Sequence, residues 1–331
     1  MDIFLQQIIN GLTLGSIYAL VALGYTMVYG IIGLINFAHG EVVMIGAMIV
    51  LSIVSGLLGA HVALPPVVII LAGLAVAVPI CMGLAYAMEK IAYRPLRKAP
   101  RLAPLITAIG MSIILQNTAM LIWGRNYLHF PNIIPQHPID IGGATITTLQ
   151  IVIIVLAGLI MAGLVLLVQK TRLGMAMRAT AQNQAVAGLM GIDINKVISA
   201  AFMIGAALAA IAGLMEMTYH GNAHYYMGFQ LGLKAFTAAV LGGIGNIAGA
   251  MLGGILLGII EALVAGYIGD VSNICAFPWL SEALTQRCAS SDGVVSLFGS
   301  DYQNVFAFFV LIMVLIFRPS GLLGERVGDR A

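Results

Sequence analysis

The sequence predicts an all-α polytopic membrane protein with about nine transmembrane segments, some of them short or broken. Of its 331 residues, 61% are hydrophobic and 8% are charged. Stretches without any charge reach or exceed the roughly 20 residues that a helix needs to cross the hydrocarbon core of a bilayer. Alternating barrel strands would not give such unbroken apolar runs, so the spans are predicted to be helices. The charge-free stretches lie between Asp2 and Glu41, Glu41 and Glu89, Arg101 and Arg125, Asp140 and Lys170, Lys196 and Glu216, and Lys234 and Glu261.

Breaks rich in glycine and proline separate the predicted spans. The first six spans run over about Ile8–Tyr29, Val42–Val54, the run from Pro66 to Glu89, Leu105–Trp123, Leu149–Val168 and Ile198–Met215. Between the fourth and fifth spans, the proline-containing segment Gly124–Thr148 is predicted to be extended. Residues 234–269 are long enough for two crossings or a re-entrant pair around a turn at Gly242–Asn246, and the last span is Tyr302–Phe317.

The distribution of charge predicts the orientation. Twelve of the 15 Lys and Arg residues fall in residues 90–101, 170–196 and 318–330. Short cytoplasmic loops collect such residues, so these three regions are predicted to be cytoplasmic. The loop Asp270–Asp301 carries four acidic residues against Arg287 and suits the outer side. We therefore expect one transmembrane domain over residues 1–331, with the N-terminus outside and the C-terminus in the cytoplasm.

A long polar insert, Gln169–Val197, interrupts the apolar chain. Its apolar and small residues recur with a helical period, which predicts one amphipathic helix over Ala181–Leu189. Gly191 is expected to end that helix, and Asp193 to cap the next span with its carboxylate. The insert is either a solvated connector or an element that docks into a groove of a soluble partner, and its length and small-residue face favour docking.

Polar residues inside the predicted spans are candidates for a translocation pathway, because their burial in a membrane is unfavourable. Asn36 and His39 lie in a glycine-rich break, and broken helices are typical of substrate paths. The alternative is that Glu41 and Lys234 lie at the membrane interface and are solvated. The candidate pathway residues are Asn36, His39, Glu41, Gln116, Asn117, Lys234, Thr237 and Glu261.

Other patterns carry less chemistry. Gly245, Gly249 and Gly253 have the spacing that lets membrane helices approach closely, either within the chain or, less favoured, between subunits. Cys275 and Cys288 share the predicted outer loop, where a disulfide is one of two open alternatives. The sequence has no phosphate-binding loop, no metal-ligand spacing beyond the weak pair His220 and His224, and no catalytic triad. No metal site and no enzymatic activity are predicted.

Five ordered motifs resemble the H-type permease subunits of ATP-driven (ABC) importers of branched-chain amino acids. They cover nearly the whole chain. They are GLTLGSIYALVALGYTMVYGIIGLINFAHGEVVMIGAM at 11–48, EKIAYRPLR at 89–97, ITAIGMSIILQN at 106–117, KAFTAAVLGGIGNIAGAMLGGILLGIIEAL at 234–263 and FRPSGLLG at 317–324.

The resemblance implies a multi-pass subunit of a bacterial inner membrane that forms the pathway together with a homologous M-type permease. Two cytoplasmic ATPase subunits would supply the energy, and a periplasmic binding protein would deliver leucine, isoleucine or valine. The chain itself would need no cofactor, since ATP and magnesium belong to the partner subunits, and it would bind lipid but no nucleic acid. A secondary transporter with ion coupling, or an ABC permease for urea or short amides, are the alternatives.

The resemblance also implies roles for particular segments. Residues 169–197 would be the cytoplasmic coupling region, and residues 270–301 a periplasmic loop that is longer than usual for the family. The coupling residues are Arg178, Gln182, Asn183, Ala187, Gly191, Ile192 and Asp193. Of these, Gln182 and Asn183 are neutral where relatives often carry an acidic residue.

Overall fold

The computed structural model describes residues 2–61, 64–97, 99–100, 102–134, 136–271, 302–318 and 320–324. Among these residues, seven helices are long and apolar enough to cross a membrane, and two shorter helices are apolar as well. A π-helical turn, Glu89–Tyr93, continues α3. The helices are α1 (Asp2–Ile32), α2 (His39–Gly59), α3 (Pro66–Met88), α4 (Leu102–Trp123), α5 (Thr148–Lys170), α6 (Arg172–Gln182), α7 (Gln184–Leu189), α8 (Ile194–His220), α9 (Met227–Gly242), α10 (Ile247–Val271) and α11 (Gln303–Phe317).

The helical, membrane-spanning architecture agrees with the prediction from sequence, and the helices extend beyond the predicted spans. The sixth span was expected over Ile198–Met215 and forms Ile194–His220, because the Asp193 cap starts the helix four residues earlier. The hairpin predicted at Gly242–Asn246 is present between α9 and α10.

The segment predicted to be extended contains short strands, a local departure from an all-α chain. Strands β2 (Pro138–Ile141) and β3 (Ala144–Thr147) form an antiparallel hairpin. Strand β1 (Leu128–His129) pairs with β4 (Asn222–Ala223), which follows α8. Because β1 precedes α5 and β4 follows α8, this pairing holds two distant parts of the chain together at one end of the bundle.

The bundle has two chemically different ends. We call the end formed by residues 124–147 and 221–226 the hairpin end, and the end formed by residues 89–97, 171–193 and 243–246 the basic end. Helix α1 connects them: Gln6 donates to the Thr145 carbonyl at 3.0 Å, and the Ile31 carbonyl accepts from Gln184 at 2.9 Å. The position of α1 therefore depends on contacts at both ends.

Close backbone contact between α1 and α10 forms the centre of the bundle. A Cβ atom at Gly15 would lie 2.7 Å from the Ile255 Cα, and one at Gly258 would lie 2.6 Å from the Gly11 carbonyl oxygen. Distances this short leave no room for any side chain. Small residues at such positions allow membrane helices to pack backbone against backbone.

The predicted glycine series divides between a turn and a helix contact. Gly249 and Gly253 lie where α10 meets α9, and their Cβ atoms would collide with the Gly242 and Ala238 carbonyls. Gly245 has a φ of +96° and lies in the turn before α10, so it is not part of that helix face. The contacts of Gly249 and Gly253 are within the chain, as the favoured alternative expected.

The polar insert forms two helices where one was predicted. The helix expected over Ala181–Leu189 is interrupted at Asn183, whose extended backbone (φ −157°, ψ 106°) ends α6. Its side-chain oxygen then accepts the Val186 N–H at 3.1 Å and caps α7. The helical periodicity was correct on both sides of Asn183. The helix is nevertheless interrupted there, because asparagine is favoured as an N-cap and disfavoured inside a helix.

Part of the prediction lies outside the described residues. Cys275 and Cys288 fall there, as does nearly all of the loop 270–301.

Candidate functional site

The start of α2 holds three of the candidate pathway residues inside the bundle. Asn36, His39 and Glu41 are all buried. Asn36 accepts a hydrogen bond from the Tyr93 hydroxyl at 2.7 Å, and its carbonyl accepts the His39 N–H at 3.0 Å. The His39 ring fits against Gly24 of α1, where a Cβ atom would collide with it, and contacts the Gly205 position of α8 at 3.5 Å.

Glu41 is the most enclosed carboxylate in this cluster, with no exposed surface. Its Oε1 accepts hydrogen bonds from Ser112 Oγ at 3.0 Å and from Gln116 Nε2 at 2.8 Å, both on α4. Its Oε2 has no hydrogen-bond partner among the described residues. The alternative that Glu41 is solvated at an interface is therefore wrong for this conformation. A buried carboxylate with one free oxygen can accept a proton or a cationic group.

A second polar group lies between α1, α9 and α10. Lys234 Nζ is 2.6 Å from Glu261 Oε1 and 3.2 Å from the Tyr18 hydroxyl. The Lys234 side chain is 16% exposed and the Glu261 side chain 2%, so Lys234 is not solvated at an interface either. Thr237, one turn along α9, is buried and donates to the Leu233 carbonyl at 2.9 Å.

Aromatic rings separate the two polar groups. The Tyr25 ring lies 4.9 Å from the His39 ring, and Phe236, next to Thr237, lies 6.2 Å from Tyr25 and 5.7 Å from Phe37. The structure thus brings seven of the eight predicted pathway residues to two neighbouring clusters. Asn117 is not among them, because its side chain is exposed on α4 and donates to its own helix at the Ile113 carbonyl.

A cavity of about 1430 Å³ opens at the basic end. It is lined by the last turns of α1 and α5, the junction of α6 and α7, the turn between α9 and α10, and the tail after α11. Tyr29 and Val240 line its walls, and Arg178, Gln182 and Asn183 contribute polar groups. The predicted coupling region therefore borders a water-accessible space that enters the bundle from the basic end.

The predicted docking element, which we define as α7 and the turn 190–193, is shaped by local hydrogen bonds and one glycine. Ala187 is buried, and its carbonyl accepts the Ile192 N–H at 3.1 Å. Gly191 adopts a φ of +84°, which glycine tolerates and other residues rarely do. Asp193 then caps α8 by accepting the Lys196 N–H at 3.2 Å, and this backbone hydrogen bond lowers the pKa of the Asp193 carboxyl below its ordinary value.

Two apolar side chains at the tip of this element were not among the coupling residues predicted from the sequence. Leu189 is 86% exposed and Met190 is 78% exposed, whereas the neighbouring Ala187 is buried. They lie at the basic end, at the opposite end of α7 from the exposed Gln182 and Asn183. The signal was an apolar pair directly before a glycine within a polar insert. Two large apolar side chains exposed side by side in a polar segment make this tip a candidate for contact with another protein.

Sequence reasoning also missed Glu89. Its side chain is completely buried at the basic end, where it pairs with Arg94 and Arg97. Sequence analysis placed Glu89 at the end of the third span and the two arginines in the basic region after it, without pairing them. The spacing of Glu89 and Arg94 across a helix end was the signal that could have revealed the cluster.

Comparison with known proteins identifies the family. A sequence model of the family described as branched-chain amino acid transport system / permease component matches residues 7–315. The chain belongs to this family. The permease is 44% identical over 327 residues to the high-affinity branched-chain amino acid transport system permease protein BraD of Pseudomonas aeruginosa, covering 97% of this chain and 96% of BraD.

Two further relatives have the same coverage. The permease is 42% identical over 327 residues to the high-affinity branched-chain amino acid transport system permease protein LivH of Escherichia coli, and 42% identical over 326 residues to LivH of Salmonella typhimurium. In each case the match covers 97% of this chain and 96% of the relative. No solved structure matches the permease.

Proposed function

We propose that this permease is the H-type subunit of an ATP-driven importer of branched-chain amino acids in a bacterial inner membrane. The observation that carries the proposal is the identity of 42–44% to BraD and LivH over 97% of the chain. Their names specify branched-chain amino acids, which favours leucine, isoleucine and valine over urea or short amides as the substrate. A secondary transporter is not favoured, since these relatives are permease components of transport systems.

The proposed assembly contains this chain, a homologous M-type permease, two cytoplasmic ATPase subunits and a periplasmic binding protein. ATP and magnesium bind to the ATPase subunits, and the chain performs no chemical reaction. The proposed topology has nine spans, counting α9 and α11, with the basic end in the cytoplasm and the hairpin end in the periplasm. Residues 270–301 form a periplasmic loop in this topology. Twelve basic residues in the three regions 90–101, 170–196 and 318–330 support this orientation.

Reporter fusions test this topology. Alkaline phosphatase inserted after Gly143, in the β2–β3 turn, is expected to be active, because that enzyme matures only outside the cytoplasm. Green fluorescent protein fused after the last residue is expected to fluoresce. The opposite pair of results would invert the proposed orientation.

The mechanism we propose is alternating access driven by the docking element. The ATPase binds α7 and the turn 190–193 differently in its two nucleotide states, and only such a difference shifts a conformational equilibrium. The cavity at the basic end would release substrate to the cytoplasm. The buried groups around Glu41 and Lys234 would line the closed part of the pathway, and Arg178 and Asp193 would orient the docking element.

The exposed pair Leu189 and Met190 offers the sharpest test of docking. Burying both against an ATPase groove contributes about 3 kcal/mol or more, since one such side chain contributes about 1.5–3 kcal/mol. Leu189→Ser combined with Met190→Ser should therefore weaken association with the ATPase subunits about 100-fold. Ile139→Ser, which changes an exposed apolar residue at the hairpin end, is the matched control.

Association would be measured by titrating purified ATPase subunits onto the permease pair in nanodiscs, together with leucine-stimulated ATP hydrolysis. Unchanged ATPase affinity and unchanged stimulation in the double variant would contradict the docking role. A wild-type permease that takes up leucine with no ATPase subunit present would contradict the ATP-driven mechanism itself.

A further inference from the structure

A buried carboxylate joins the end of α3 to the start of α8. Glu89 accepts hydrogen bonds from Arg94 Nη2 at 2.7 Å, from Ser199 Oγ at 2.8 Å and from Arg97. Arg97 also donates to Asn195 Oδ1 at 2.8 Å. Because Asn195 and Ser199 lie in the first two turns of α8, the start of that helix is fixed to Glu89 by two side chains.

The start of α8 is in turn continuous with the docking element. Only the turn 190–193 separates α7 from α8, and the Ile192 N–H to Ala187 carbonyl bond closes it at 3.1 Å. The Ile194 side chain contacts the position where a Gly188 Cβ would lie, 3.4 Å away. A displacement of α7 therefore moves the first turns of α8 and, with them, the groups bonded to Glu89.

Glu89 is the first residue of the π-helical turn Glu89–Tyr93. The last residue of this turn, Tyr93, contacts the candidate pathway residues at the start of α2. The Tyr93 hydroxyl donates to Asn36 Oδ1 at 2.7 Å, and both side chains are buried. The Tyr93 ring also packs 5.3 Å from the Phe202 ring of α8. Asn36 accepts the His39 N–H through its carbonyl, so its position sets where α2 begins. Glu41, two residues further, moves with it.

The π-helical geometry makes this turn suited to change. The Arg94 N–H donates to the Glu89 carbonyl at 2.8 Å across five residues. Turns of this kind are rare, occur mostly singly within α-helices and are frequent at functional sites. The first and last residues of the turn, Glu89 and Tyr93, are the ones whose side chains bond to other elements. A change of helical register here would shift both contacts together.

We propose that the π-helical turn Glu89–Tyr93 transmits movement of the docking element to the start of α2, with Glu89 and Tyr93 as positioning residues. The proposal rests on the proposed function, since it requires that the docking element be moved by an ATPase. The link runs from α7 through Ser199 and Glu89 to Tyr93 and Asn36. It is a continuous chain of packed and hydrogen-bonded groups, the kind of network that carries coupling between two sites.

The test uses the complete transporter reconstituted in proteoliposomes, with ATP hydrolysis and leucine uptake measured on the same preparation. Tyr93→Phe removes only the hydroxyl group that bonds to Asn36. Ser199→Ala removes the hydroxyl that donates to Glu89 and accepts from Arg94. We expect each variant to hydrolyse ATP normally while leucine uptake per ATP falls about fivefold, the factor by which one buried hydrogen bond changes an equilibrium. Tyr86→Phe is the matched control, because Tyr86 lies on α3 with 40% of its side chain exposed.

Combining the two changes separates a linked pathway from two unrelated contacts. If both bonds belong to one chain of contacts, the double variant should lose no more coupling than the more affected single variant. Uptake per ATP equal to that of Tyr86→Phe in both single variants would overturn the proposal. The proposal would also be overturned if the two losses of uptake per ATP multiplied in the double variant. The same holds if ATP hydrolysis and leucine uptake fell in proportion, since uptake per ATP would then be unchanged. A wild-type complex that fails to bind ATPase subunits would instead refute the proposed function.

Discussion

The ion pair between Lys234 and Glu261 leads to a prediction about stability. It separates the attraction between the two charges from the cost of burying each of them. Replacing either residue with methionine removes one charge and leaves the other inside the bundle. Replacing both removes the charges together and leaves apolar side chains of similar length. The double variant is therefore expected to be much more stable than either single variant.

The magnitude follows from the contact distance and the burial. At 2.6 Å and an effective dielectric constant of about 20, the attraction between the two charges is about 6 kcal/mol. Desolvation of each ion, several kcal/mol, offsets most of that attraction, so the pair contributes little compared with two apolar residues. A single Lys234→Met or Glu261→Met change leaves an unpaired buried charge and should lower the free energy of unfolding by about 3–5 kcal/mol. The double variant should lie within about 1 kcal/mol of the wild type.

Unfolding by SDS in mixed micelles would measure these free energies as a double-mutant cycle. The exposed pair Lys196 and Asp193, with side chains 86% and 50% exposed, provides a control cycle in which no measurable coupling is expected. The reasoning is refuted if both single variants unfold like the wild type. It is refuted equally if the double variant is as unstable as the sum of the two single changes.

Three further predictions concern packing and the docking element. Gly258→Leu should destabilise the bundle by about 3 kcal/mol, because its Cβ meets the backbone of α1. Gly163→Leu should not, because the space around its Cβ is open. Thermal unfolding in detergent would compare the two variants. Asn183→Ala removes the cap of α7, which contributes about 1 kcal/mol, and should weaken ATPase binding about fivefold. In the same titration, Gln136→Ala, an exposed amide at the hairpin end, should have no effect. Folding lowers the pKa of Asp193, so its carboxylate stabilises the folded state. This contribution to stability is complete above the ordinary aspartate pKa of about 3.9. It is lost only as the pH falls through the lower pKa of the folded state. Titration of Asp193 should therefore not change the ATPase affinity between about pH 5 and pH 8. A loss of affinity with a midpoint in that range would contradict this prediction if the Asp193→Asn variant did not show it.

The sequence predicted the helices well because the membrane makes their signal strong. Unbroken apolar runs can only be helices, so Leu105–Trp123 and Leu149–Val168 were located to within three residues of α4 and α5. The Asp193 cap was predictable because its effect is local. Asn183 shows the limit of periodicity, which describes the face of a helix but not where a cap interrupts it.

Most residues of the candidate site were predicted from the sequence, but their contacts with one another were not. Burial cost identified Glu41, Lys234 and Glu261 as unusual, yet their partners Ser112 and Tyr18 lie on other helices. Such pairings depend on how helices cross, and one sequence carries little information about that. Glu89 was missed for a related reason, since a charge at the end of an apolar run gives no sign that three other side chains enclose it.

The contact between α1 and α10 determines which parts of the molecule can move relative to one another. With backbones touching at Gly15 and Gly258, these two helices cannot slide or separate without opening a gap along most of their length. We therefore expect them to move as one rigid body, which would provide a fixed reference for distance measurements during the transport cycle. A spectroscopic probe pair placed across α1 and α10 should report one constant distance. Probes that link this body to α2 or to the docking element should report the motion.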